Sequence, residues 1–139
     1  MQSFTTGIGV LIAEDDGALR AMMLAVLRRC GIETTAARDG QEAIEMLQRT
    51  HFNALVLDLM MPRVSGWEVI DWLGAHPEHR PDSVLVVTAA DHVAAERLNS
   101  QVVNAVFFKP FDIEEFGAYV ANCGLRQARD RRKKRVFAS

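Results

Sequence analysis

Asn53-Ala54-Leu55-Val56-Leu57-Asp58-Leu59-Met60-Met61-Pro62 is the stretch on which the reading of this chain turns. An apolar run that short, closed by a turn signal, reads as a β-strand buried on both faces. It runs straight into an aspartate. A carboxylate at the end of such a strand is costly to bury unless something compensates its charge. At the carboxyl edge of an open α/β sheet it would stand where such folds place their ligands. Asp58 is therefore the residue around which the other segments are read.

Working outward, strands and helices alternate. Val10-Leu11-Ile12-Ala13 is a short buried strand ending in Glu14-Asp15-Asp16. Leu19, Met23, Val26 and Leu27 then form the stripe of an amphipathic helix, with Asp16 as N-cap and Gly31 as the residue after its end. Ile32–Ala36 is a weaker strand. Asp39-Gly40 opens a second helix with Ala43, Ile44 and Leu47 inward. After strand 54–58 and the Pro62–Gly66 loop, a third helix is expected from Trp67 to Ala75, and the prolines of His76–Pro81 predict a loop. Val84–Val87, ending in Thr88, is a fourth strand. A helix over Asp91–Asn99 follows, then the strand Ala105–Phe108, ending in Lys109-Pro110, and a last helical stripe to Asn122. Strict alternation with hydrophobic strands implies a parallel sheet covered on both faces, so the fold class is α/β and doubly wound.

The chain has 139 residues, one domain's worth, with 49% hydrophobic and 24% charged residues, ordinary for a globular protein. No apolar run approaches a membrane span, and the first residues carry no signal-peptide pattern. Cys30 and Cys123 match no metal spacing and read as reduced, partly buried thiols of a cytoplasmic protein. Net charge is −2, yet residues 126–135 alone carry +6, which leaves an acidic body with a basic tail. That tail reads first as a solvated end or the start of a linker. Contact with nucleic acid or lipid, or with the acidic body, are the other readings, and it is too short for a DNA-binding domain.

In a parallel sheet the strand ends share one edge. Glu14, Asp15, Asp58, Thr88 and Lys109 therefore converge. Three close carboxylates repel and call for a cation, and oxygen ligands suit Mg²⁺. Lys109 adds a positive charge suited to a phosphate, and Thr88 a hydroxyl donor. The set describes a place for a small tetrahedral dianion on or beside a carboxylate, and carboxylates can accept phosphoryl groups. Each residue alone has a blander reading: Asp58 a turn acid, Glu14 to Asp16 a helix N-terminal charge cluster, Thr88 a β-former, Lys109 a surface lysine. His76, His79 and His92 read as solvated, His51 as structural, and one of Trp67 and Trp72 as a candidate for exposure.

The motifs Leu11-Ile12-Ala13-Glu14-Asp15-Asp16, Leu57-Asp58-Leu59-Met60-Met61-Pro62 with Gly66, Val86-Val87-Thr88-Ala89 and Phe108-Lys109-Pro110-Phe111, in this order, resemble the receiver domain of two-component response regulators, the family of the chemotaxis receiver. The resemblance covers residues 8–123, leaving 124–139 as the basic tail. It implies a flavodoxin-like (βα)5 fold with strand order 2-1-3-4-5. It implies that Asp58 accepts a phosphoryl group from a histidine kinase or phosphotransfer protein. Glu14 (through water), Asp15, Asp58 and the Met60 carbonyl would hold Mg²⁺, with Mn²⁺ an alternative. Thr88 would turn toward the phosphoryl group and Lys109 would pair with it, beside a Lys109–Pro110 bond that is often cis. A downstream protein, or a second copy of the chain, would meet the face made by helix 4, strand 5 and helix 5. The expected role is a phosphoacceptor that catalyses its own phosphoryl transfer and loss, not a turnover enzyme. A receiver fragment of a longer DNA-binding transcription regulator is the alternative. A Mg²⁺-dependent aspartyl phosphohydrolase ranks below both, because Met60 stands where such enzymes carry a second acid. Two positions depart from the family pattern. Val106 occupies the place of a switch Tyr or Phe. Met60 and Ala90 stand where polar side chains of some relatives orient the hydrolytic water, so loss of phosphate is expected to be slow. The chain ends soon after its last helix, and the expectation is either a stand-alone receiver or a piece of a longer regulator.

Overall fold

A computed structural model describes residues 9–122. Residues 1–8, Cys123 and the basic tail lie outside the described residues. Five strands, β1 (Gly9–Ala13), β2 (Glu33–Ala37), β3 (Ala54–Asp58), β4 (Ser83–Thr88) and β5 (Ala105–Phe108), pair in parallel in the order β2-β1-β3-β4-β5. The intervening helices are α1 (Gly17–Arg29), α2 (Gly40–Arg49), α3 (Gly66–Ala75) and α4 (His92–Ala95). A fifth, α5, covers 113–122. This is the doubly wound architecture and strand order expected.

Side chains alternate across the strands and so build two cores. Val10, Ile12, Val56 and Val87 meet Met23 and Leu27 of α1 and Phe116 and Val120 of α5. Leu11, Leu55, Leu57 and Val86 meet Leu47 of α2 and Val69, Ile70 and Leu73 of α3. β3 lies at the centre of the sheet with all five residues buried, as its unbroken apolar run requires.

The helix starts are encoded locally. Asp16, Asp39, Ser65 and Asp91 each accept a hydrogen bond from a first-turn N–H of the helix that follows. Ser65 and Glu68 cap one another reciprocally. α1 ends where Gly31 takes φ 76°, in the left-handed region glycine tolerates best.

Several boundaries and side chains differ from expectation. β2 runs one residue later than read, and α3 begins at Gly66 because Ser65 caps it. The His76–Pro81 loop holds a short 3₁₀ turn, Pro77–His79. α4 is a single turn rather than a helix over Asp91–Asn99. Its sequence offers no continuous apolar stripe, and Val93 is 66% exposed. Past Glu96 the i→i−3 bonds Arg97 N–H to Ala94 O and Leu98 N–H to Ala95 O tighten the chain. Cys30 is exposed rather than partly buried, because it follows the last turn of α1 on the solvent side. His76 and His79 are half-buried and stack on Trp72 with ring centroids 4.7 and 5.5 Å away. His92 is exposed, as expected, and stacks on Phe108 at 3.9 Å. These three rings find aromatic partners that lie across a turn or on another element.

Candidate functional site

The carboxyl ends of β1, β3, β4 and β5 deliver the polar residues to one place. Glu14 and Thr88 are fully buried, and Asp58 is nearly so. Asp15 is exposed. One carboxylate oxygen from each of Glu14, Asp15 and Asp58 lies within 4.8 Å of the others, a grouping that can hold a metal ion. Lys109 Nζ lies 3.0 Å from Glu14 Oε1 and 3.5 Å from Asp58 Oδ1. The ammonium is the only ion-pair partner of these two acids among the described residues, and no donor is aligned on Glu14 Oε1 for a hydrogen bond.

Backbone groups fix the rest. The Met60 N–H donates to Asp58 Oδ1 at 3.3 Å, and the Asp16 N–H to Glu14 Oε2 at 3.2 Å. The Ala90 N–H donates to the Thr88 hydroxyl at 2.9 Å, so the oxygen of Thr88 is engaged in its own turn. The Lys109 N–H donates to Thr88 O at 2.8 Å, tying the ends of β4 and β5 together. The Lys109–Pro110 peptide is cis, as the resemblance implied.

The loop after Asp58 is held from two sides. A Cβ on Gly66 would stand 2.2 Å from Asp58 O, so only glycine lets α3 begin against the strand end. Arg63 takes φ 64° and pairs with the buried carboxylate of Asp39, the N-cap of α2. The Gly40 N–H donates to Val64 O at 3.1 Å. Bonds to the Glu42 N–H and to Arg63 outweigh burial and hold the Asp39 carboxyl below the usual carboxylate range.

Electrostatics follow from this crowding. Burial, and next the hydrogen bond with Asp58, push Glu14 up to about 7, against the pull of Lys109 and the Asp16 N–H. Burial also raises Asp58, although its contact with Glu14, the charge of Lys109 and the Met60 N–H work the other way. Burial thus favours the protonated form of both acids, and Glu14 and Asp58 titrate as a coupled pair. Burial pulls Lys109 down, yet the two carboxylates together raise it, so it is a fixed cation.

Val106 is half-buried against the face shared with Val86, whereas Phe107 points to the opposite face, near Phe111, Phe116 and Tyr119. Phe107 therefore does not take over the place of a residue at 106. Met60 is 64% exposed and Ala90 half-buried.

Residues 10–121 match the family model of the response regulator receiver domain. The chain belongs to that family. Similar curated proteins include the response regulator MprA of Mycobacterium leprae (strain TN), 39% identical over 113 residues, which are 80% of this chain and 48% of that protein. MprA of Mycobacterium ulcerans (strain Agy99) is 38% identical over 110 residues, 78% of this chain and 46% of that protein. The chain thus spans about half the length of the curated relatives it matches. Among solved structures, the receiver domain of Francisella response regulator 1452 superposes with a TM-score of 0.79 at 25% identity, covering 87% of this chain and 99% of that one. The signal receiver domain of a Luxo repressor protein from Vibrio parahaemolyticus does so with a TM-score of 0.80 at 23% identity, covering 88% and 94%; that likeness concerns the fold alone.

The chain is therefore a two-component receiver with the flavodoxin-like fold and bacterial relatives. Receiver domains are phosphoacceptors rather than turnover enzymes, work with histidine kinases and bind Mg²⁺ through acidic residues, and this receiver brings three such acids together. No helix among the described residues is long and apolar enough to cross a membrane.

Arg20 is a further residue of the site that no sequence motif marks. Its guanidinium reaches back to the loop that carries Glu14 and Asp15. The only signal was an arginine in the first turns of a helix, where the dipole favours acids.

Proposed function

We propose that Asp58 is the phosphoacceptor. One observation carries this reading: a nearly buried aspartate at a strand end, with a lysine ammonium 3.5 Å away and two further acids within metal-sharing reach. Asp58 Oδ attacks the phosphorus of a phosphohistidine on a histidine kinase or phosphotransfer protein. The O–P bond forms as the N–P bond breaks, and the imidazole leaves with its electron pair.

Glu14, Asp15, Asp58 and the Met60 carbonyl would hold Mg²⁺; the buried, unaligned Glu14 Oε1 and the all-oxygen donor set fit it. The ion supplies charge neutralisation for the acids and the incoming phosphoryl oxygens. Lys109 keeps its charge through the cycle and faces the oxygen of Asp58 that stays on the acyl side or the phosphoryl group itself. Thr88 exchanges its bond from the Ala90 N–H for a bond donated to a phosphoryl oxygen, which pulls on the β4–α4 loop. The two states pre-exist, and the phosphoryl group shifts their balance. The output is a changed contact face on α4, β5 and α5, offered to a downstream protein or a second copy. Met60 and Ala90 bring no polar side chain to orient water, so dephosphorylation is slow.

The receiver unit is proposed as residues 8–123, with 124–139 as tail or linker. That the curated relatives are about twice as long favours a second reading, in which this receiver forms part of a longer regulator. The phosphohydrolase reading has little to support it, since Met60 points to solvent where a second acid would be required.

Incubation with acetyl phosphate and Mg²⁺ should add one phosphoryl group by intact mass, and Asp58→Asn should add none. Unchanged labelling of that variant would remove Asp58 as the acceptor.

A further inference from the structure

Arg20 stands one turn into α1, with its N–H on Asp16 O at 2.9 Å. Its side chain does not follow the helix surface out to solvent. Nη1 turns back and donates to Glu14 O at 2.8 Å, with a longer contact to Asp15 O at 3.4 Å. Those two carbonyls belong to the two consecutive residues whose carboxylates converge on Asp58. The phosphoryl chemistry proposed above has no use for this guanidinium, and no carboxylate pairs with it among the described residues.

Position and charge make opposite demands here. A cation beside three acids weakens their attraction for a divalent ion. A single donor nitrogen that ties down two successive peptide units holds both carboxylates ready and so strengthens binding. The Asp16 N–H on Glu14 Oε2 completes the same loop from inside. With Asp16 also capping α1, the segment 14–16 is anchored at a side chain, at two carbonyls and at the helix start.

We infer that Arg20 is a positioning residue for the divalent-cation site: it clamps the Glu14–Asp15 main chain so that both carboxylates face Asp58. The inference rests on reading these acids as the Mg²⁺ site.

Calorimetric titration of Mg²⁺ into the full chain tests it, using the parent, Arg20→Met, Arg20→Lys and Arg28→Met. Arg28 is the control: its Nη2 donates to Thr34 O at 3.2 Å at the far end of the same helix, away from the acids. Arg20→Met is expected to weaken Mg²⁺ binding about tenfold, although it removes a positive charge. Arg20→Lys, which keeps the charge but replaces the planar guanidinium with an ammonium on a shorter reach, should fall between. The Mg²⁺ concentration giving half-maximal phosphoryl uptake should rise in step. Arg28→Met should lower the melting temperature and leave Mg²⁺ affinity unchanged. Parent-like or tighter binding by Arg20→Met would overturn the inference, as would an equal loss in Arg28→Met. If Arg20→Met does not fold, parent-like binding by Arg20→Lys overturns it alone. A parent chain that takes up no Mg²⁺ would remove the metal reading itself, and with it the inference.

Discussion

The two sides of the sheet's centre are built differently. On the β1–β3 side, strands lie between complete helices, and β3 is buried along its whole length. That side supplies all three acids. On the β4–β5 side, β4 is equally buried, but β5 is only half-covered at each of its four residues and α4 is one turn long. That side supplies Thr88 and Lys109. The acids sit on a scaffold that cannot shift without opening the core, whereas the groups proposed to respond lead directly into a half-covered edge strand and a one-turn helix. Stability is not uniform in a domain, and switching elements come from its weaker end.

The contrast can be broken by core truncations. Leu55→Ala on β3 should cost about 3 kcal/mol, because a fully buried leucine leaves a cavity in a tightly packed core. Val106→Ala on β5 should cost about 1 kcal/mol, since it removes two methyl groups' worth of half-covered surface. Urea denaturation of both variants measures the difference, and equal costs would erase the distinction between the two sides.

A pH series sharpens it at the acid cluster. Glu14 sits at about 7 rather than its ordinary 4.5. A carboxyl raised in the folded state contributes stability that is complete below the unfolded value and is lost as pH rises through the folded one. The metal-free melting temperature should therefore fall from roughly pH 5 to pH 8. Mg²⁺ competes with protonation of the raised Glu14 carboxyl, so its affinity should drop as pH falls below about 7, by about tenfold per pH unit for one competing proton. Calorimetry across that range checks the slope, and a flat profile would mean that Glu14 is already ionised.

The smallest effect belongs to the weakly covered side. Val93→Thr alters a residue that is 66% exposed and should change stability by less than about 0.5 kcal/mol. A larger loss by thermal melting would show that α4 is held more firmly than a single turn implies.

Much of this was legible in the residues. The apolar runs at 10–13, 54–57 and 84–87 are strands because nothing in them tolerates solvent. The aspartates at 16, 39 and 91 mark helix starts because their short side chains reach first-turn N–H groups, whereas Ser65 caps α3 from within a stretch whose sequence reads as loop. Where burial did not enforce the local pattern, boundaries moved. The segment after Asp91 had helical propensity but no stripe to bury, so it made one turn and then tightened.

The sequence by itself determined the alternation of elements, and so the class of fold and the edge at which Glu14, Asp15, Asp58, Thr88 and Lys109 meet. Periodicity and capping are local and survive in a string of letters. Tertiary structure alone decided that Glu14 is buried while its neighbour Asp15 is exposed, and that Lys109 lies between Glu14 and Asp58. It also decided that His92 rests on Phe108, that Arg63 reaches Asp39, and that Arg20 turns back onto its own loop. These depend on what is packed opposite a long or ionisable side chain. That is set by the crossing of elements distant in sequence, which no local pattern encodes.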